Sequence, residues 1–171
     1  AQLLVECLRP SDRDVLMSTD DSLRAVMLVA ARTGQAEVMD AIFKSLPEHQ
    51  ALLANAIGVL PNGAEETVGL NLLGHAVAAD QVDAVGYLLS SKRCPASAMI
   101  NRSHCDVATS DNFLQVALLH GSMRVLGDCL EFASEADVTH QNKTGKTVID
   151  MIMEVPDPLY TERHDSVLRK L

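Results

Sequence analysis

Short apolar stripes at helical spacing recur along the chain, each set off by a turn residue. Val38, Ala41 and Ile42 fall at i, i+3 and i+4 after Gly34, which places them on one helix face. Val82, Val85, Leu88 and Leu89 follow Asp80 in the same way, as do Val125, Leu126, Cys129 and Leu130 after Gly121. Before each turn lies a second apolar segment: Met27–Ala31, Leu72–Val77 and Phe113–Leu118. The pattern predicts antiparallel helix pairs. Gly34 and Gly121 suit a C-terminal turn of positive φ. Asp80 stands where such a Gly is expected, and Asp tolerates turn conformations better than most residues.

The remaining stretches predict irregular additions. Leu3-Leu4-Val5 and Leu8 form a short apolar helix stopped near Pro10. Glu48–Leu60 reads as a helical run with Leu52, Leu53, Ala56 and Ile57 on one side, ending at the turn Pro61-Asn62-Gly63. Ser90–Asp111 is an oversized connection, with a short helix from Ser97 through Ile100 and then a polar loop. Tyr160–Leu171 predicts a closing helix with Val167, Leu168 and Leu171 turned inward.

Composition sharpens this picture. The 171 residues suffice for one domain with a continuous core. Hydrophobic content is 47% but aromatics only 3%, without Trp, so the core is built from Leu, Val, Ile, Met and Ala. Such side chains suit closely layered helices. Net charge is −9, which disfavours nucleic acid, since phosphate neutralisation needs clustered Lys and Arg. The basic pairs are Lys92-Arg93 and Arg169-Lys170. No apolar run approaches the ~18 residues of a membrane span, and no signal peptide is visible. Cys7, Cys94, Cys105 and Cys129 lack metal-type spacing and read as reduced, buried thiols of a cytoplasmic protein. The start at Ala1 points to a processed or excised fragment.

Several of these segments resemble the ankyrin repeat, whose pattern is roughly D-x-x-G-x-T-P-L-H-x-A-A, a Gly turn, then V-V-x-x-L-L. Residues 30–43, AARTGQAEVMDAIF, are similar to its central portion. Lys143–Asp150 match the opening at Gly145 and Thr147, with Val148 for Pro and Asp150 for His, and Ala136-Asp137-Val138 match the segment before it. The turn positions are 80 − 34 = 46 and 121 − 80 = 41 residues apart, against about 33 in a regular repeat. The excess falls in the two additions already marked. The resemblance implies an all-α fold, an ankyrin-type solenoid of stacked helix-turn-helix repeats with irregular capping helices. One domain would then comprise a cap at 1–22, repeats at about 23–60, 67–100, 110–138 and 143–155, and a capping helix at 157–171.

The resemblance further implies a non-catalytic interaction module, monomeric on its own, that binds a protein partner without a cofactor, nucleic acid or membrane. Its concave face would present Arg32, Thr33, His75, Ala79, Leu119 and His120. Its loop tips would lie near Asn62–Glu66, His104–Asp111 and Thr139–Thr144, with His104, Asp106, Asp111, His140, Asn142 and Lys143 as contacts. An alternative is the substrate-docking domain of a larger enzyme, such as a secreted bacterial effector acting in the host cytosol. A second alternative is a small helical enzyme using His104 and Cys105. Three other motifs carry little. Gly145-Lys146-Thr147 lacks the upstream Gly and strand of a phosphate loop. His104-Cys105-Asp106 lacks zinc-type spacing. The glycosylation sequons at Asn101 and Asn142 matter only in a secretory compartment.

Overall fold

The computed structural model describes residues 20–58, 69–155 and 162–170. Among these every regular element is helical, and extended pairing is confined to two isolated bridges, Ile57 with Asn71 and Leu70 with Asp106. In chain order the helices are α1 (Asp20–Arg32), α2 (Ala36–Ser45), α3 (Gln50–Ala54), α4 (Leu72–Ala78), α5 (Val82–Leu89), α6 (Phe113–Leu119), α7 (Met123–Asp128), α8 (Glu135–Val138), α9 (Val148–Met153) and α10 (Glu162–Leu168). Single 3-10 turns occupy Pro47–His49, Ser97–Met99 and Leu130–Phe132.

The helices pack as pairs in two layers. In one layer α1 contacts α4, α4 contacts α6 and α6 contacts α9. In the other α2 contacts α5, α5 contacts α7 and α7 contacts α10. One continuous core runs between them, with Met27, Met39, Phe43, Leu72, Leu73, Leu88, Phe113, Leu114, Leu126 and Ile152 among its fully buried side chains. Gly74 shows how closely the connection before α6 lies on α4: a Cβ there would sit 2.7 Å from the Cys105 carbonyl oxygen.

The turns form where expected. Gly34 and Gly121 have φ of 75° and 65°, and Asp80 has φ of 54°. Asp80 has a reason to replace Gly. Its Oδ1 accepts the Val125 backbone N–H at 2.9 Å, in the first turn of α7. The carboxylate thus caps a helix in the next pair, which offsets the cost of its own left-handed backbone.

Helix starts are set by caps that apolar periodicity does not register. Asn71 accepts Gly74 N–H at 2.9 Å. Asn112 accepts Leu114 and Gln115 N–H, while Gln115 Oε1 accepts Asn112 N–H at 2.9 Å, completing a capping box. Thr147 and Asp150 form the same box on α9, and its hydrogen bonds hold the Asp150 carboxyl below its usual range. Each cap contributes about 1 kcal/mol.

The structure corrects several boundaries. α1 begins at Asp20, inside the expected cap at 1–22. The run Glu48–Leu60 is not one helix: α3 ends at Ala54, and Ile57 turns extended to pair with Asn71. Leu53 and Ala56 are buried, but Leu52 and Ile57 face solvent. The helical stripe fails there because the backbone changes conformation partway along it. α7 ends at Asp128, so Leu130 enters a 3-10 turn instead of continuing it. In α10 Val167 is buried and Leu168 is half-buried against the core. The predicted helix at Leu3–Leu8, the Asn62–Glu66 tip and Leu171 lie outside the described residues.

Candidate functional site

The predicted contact residues separate into two groups. His104, Asp106, Asp111, His140, Asn142 and Lys143 meet where the connection before α6 meets the connection before α9. Lys143 Nζ donates to the Val107 and Ala108 carbonyls at 3.0 and 2.7 Å, and its backbone N–H donates to Thr109 O at 2.9 Å. His140 Nε2 lies 2.8 Å from Ser110 O, and the His140 ring stands edge-on to His104 with centroids 5.6 Å apart. Asp106 Oδ1 accepts Ala108 N–H at 2.7 Å. These contacts fasten two loops to each other. Of the six, His104 and Lys143 are exposed, Asp106, His140 and Asn142 are half-buried, and Asp111 is buried.

Asp111 is corrected as an exposed loop-tip residue, whereas Asn142 is half-buried and lines the groove described below. Asp111 is buried, accepting from the Thr109 hydroxyl and from Asn142 Nδ2 at 2.8 Å. Asn142 Oδ1 accepts from Thr144 N–H, Thr144 Oγ1 and Lys146 N–H. Both side chains are engaged in bonds that hold the loops together, and a glycan on Asn142 would undo the loop. Asn101 is tied as well, its Oδ1 accepting His104 N–H at 3.2 Å.

His75 is also corrected. It is completely buried in α4, with Nε2 3.0 Å from Gly58 O and Nδ1 without a partner. Burial lowers its pKa, and the neighbouring Arg32 and His120 lower it further. The ring is therefore neutral, with Nε2 donating to Gly58. It is a core residue because the connection through Gly58 closes over α4, which spacing within α4 does not reveal. Arg32 and Thr33 remain at the end of α1. Thr33 is exposed, its hydroxyl donating back to Val29 O at 2.8 Å. Ala79 is half-buried, and His120 caps the C-terminus of α6 as a half-buried residue.

Leu119 is as exposed as expected, at 59%. Beside it a groove of about 460 Å3 runs between α6 and α9, floored by Leu118, Leu119, Met151 and Val155. Thr109, Asn142 and Thr144 of the joined loops form one wall, and the Lys146–Glu154 ion pair forms part of the rim. The groove is apolar below and hydroxyl-rich above, as a site for an apolar side chain on a peptide would be. Met151, Lys146 and Glu154 were not singled out from sequence. The signal available was that α9 follows the Thr147 cap, which sets which of its faces meets α6.

Thiol chemistry has little support near His104. Cys105 is wholly buried, its Sγ 3.4 Å from Arg102 O, and burial pushes its thiol well up. Cys94 is raised by burial too, and Cys129 is pushed up to about 12 by burial with Asp128, Glu131 and Asp80 nearby. An activated cysteine requires the opposite shift. Among the described residues no group of three or more His, Cys, Asp or Glu converges as a metal site, and no helix is long and apolar enough to cross a membrane. No protein-family model, curated protein or solved structure matches this chain.

Proposed function

We propose that this chain is a degenerate ankyrin-type solenoid that binds a protein partner through its α6/α9 groove and the joined loops beside it, without catalysis of its own. The observation that carries the reading is Leu119. It lies exposed in an apolar groove whose loop wall is tied by hydrogen bonds within and between the connections, so the surface is organised before any partner arrives. The successive packing of α1, α4, α6 and α9 supports the repeat reading, as do positive-φ turns at matching places. Leu119, Met151, Thr144 and the exposed part of His104 are the contacts on this reading, with His120 at the edge.

The test compares partners captured by the intact chain with those captured by Leu119→Arg and Met151→Arg. A protein retained by the intact chain and by a Lys44→Glu control in the α2 layer, yet lost at least tenfold by both groove variants, is the expected result. Equal capture by all four proteins would place the binding surface elsewhere.

A further inference from the structure

The inner helices share positions that can be matched through their turns and caps. Val26 and Val29 precede Gly34 by the same spacing as Leu72 and His75 precede Asp80, and as Phe113 and Val116 precede Gly121. In α4 and α6 these positions are buried, whereas both valines of α1 are 45% exposed. At the other end, Ile149 and Met153 follow the cap Thr147 as Leu73 and Val77 follow Asn71, and as Leu114 and Leu118 follow Asn112. Leu73, Val77 and Leu114 are buried and Leu118 is half-buried, but Ile149 is 39% and Met153 69% exposed. One set of positions is therefore covered by the preceding helix and the other by the following helix. The described stack leaves one uncovered half of this repeating contact at each end.

We propose that these two ends join copies of this chain head to tail, with α9 of one copy packing on α1 of the next as α6 packs on α9 within a copy. The two faces are complementary because α4 and α6 already bury the same pair of surfaces against each other. Charge agrees at the C-terminal ends, where Glu154, paired with Lys146, closes α9 and Arg32 ends α1. A contact between unlike faces does not close on itself after one addition and grows as a linear series. The net charge of −9 on each copy opposes this growth, so salt promotes it by screening the repulsion.

Sedimentation velocity of the 171-residue chain tests this, over a hundredfold range of concentration reaching several hundred micromolar. The weight-average mass should rise from 18.4 kDa to at least twofold that value at the top of the range, and further at high salt. Val29→Glu and Met153→Glu each block one end through an exposed side chain, and helical circular dichroism checks that both variants fold. Each alone should remain a monomer. Mixed, they retain one intact face apiece and should form a dimer that grows no further. A monomeric mass for the unsubstituted chain at every concentration and salt overturns the proposal and leaves these faces to a different protein. Association that persists in either single variant overturns it too, because the contact then lies on another surface.

Discussion

The seam between the first two helix pairs and the seam between the last two are held by different physics. Between α1 and α4 the packing is nearly all apolar, with Met27, Ala31 and Leu72 buried. Among the described residues the polar ties from the first pair and its connection include His75 to Gly58 at 3.0 Å, the Tyr87 hydroxyl to Asp40 at 3.2 Å, and Asn55 with Met99 O and Asn101 N–H at 2.8 and 2.9 Å near the surface. Around α6 and α9 buried polar side chains bridge the connections throughout. Gln115 Nε2 donates to the His140 and Lys146 carbonyls, Asn112 Nδ2 to Asp137 O, and Arg102 to Asp137 and Phe132 O. Apolar packing is tolerant of small shifts, whereas a satisfied network fixes one arrangement. The candidate groove lies on the fixed seam. A preformed binding surface gains from this, because less freedom is lost when a partner docks.

Removing single groups should expose the difference. Arg102→Ala strands the buried Asp137 carboxylate, leaving it only Ser134 as partner, and should cost about 3 kcal/mol in urea unfolding. If it costs under 1 kcal/mol, the network is not what holds the second seam. Gln115→Ala leaves two carbonyls and the Asn112 N–H short of a partner, for an expected loss of about 2 kcal/mol. Partner binding should weaken alongside, since the groove's loop wall depends on the same bonds.

The first seam should respond instead to acid. The folded protein depresses the His75 pKa below 6.5. The unfolded chain then binds more protons as pH falls through 6.5, so stability is full above that value and declines below it. One such group contributes a slope of at most about 1.4 kcal/mol per pH unit. Unfolding measured at pH 7.5 and 5.5 should show this loss in the native sequence and less of it in His75→Phe. An identical pH profile for the two proteins would remove His75 from the account.

The smallest effects concern Asp80. Asp80→Gly loses the cap on α7 but relieves the positive φ, two terms of about 1 kcal/mol each with opposite sign. Asp80→Ala loses the cap and keeps the strain, so it should be the more destabilising of the two by about 1 kcal/mol. The reverse order would mean that the positive φ carries no strain, and no loss in Asp80→Ala would mean that the Val125 contact carries no weight.

Much of the helical arrangement was legible along the chain. Stripes such as Val38, Ala41 and Ile42 and the turns at 34, 80 and 121 report local energetics that require no neighbour. Leu119 was named through the repeat resemblance, which places it on the concave face, and it is exposed. The repeat resemblance placed His75 on the concave face and Asp111 and Asn142 at loop tips. The burial of His75 and Asp111 depends on other segments arriving: Gly58 from 17 residues before His75, and Asn142 of the later loop from 31 residues after Asp111.

By itself, the order of residues determined an all-helical chain of paired helices, the places where they reverse and a core poor in aromatics. Periodicity and backbone freedom act within a few residues, so a linear reading captures them. Only the tertiary structure decided which polar groups became internal ties, where the groove opens and which apolar residues stay uncovered at the ends. Those outcomes depend on what each surface meets across the fold, and desolvation acts on a group only once its neighbours are in place.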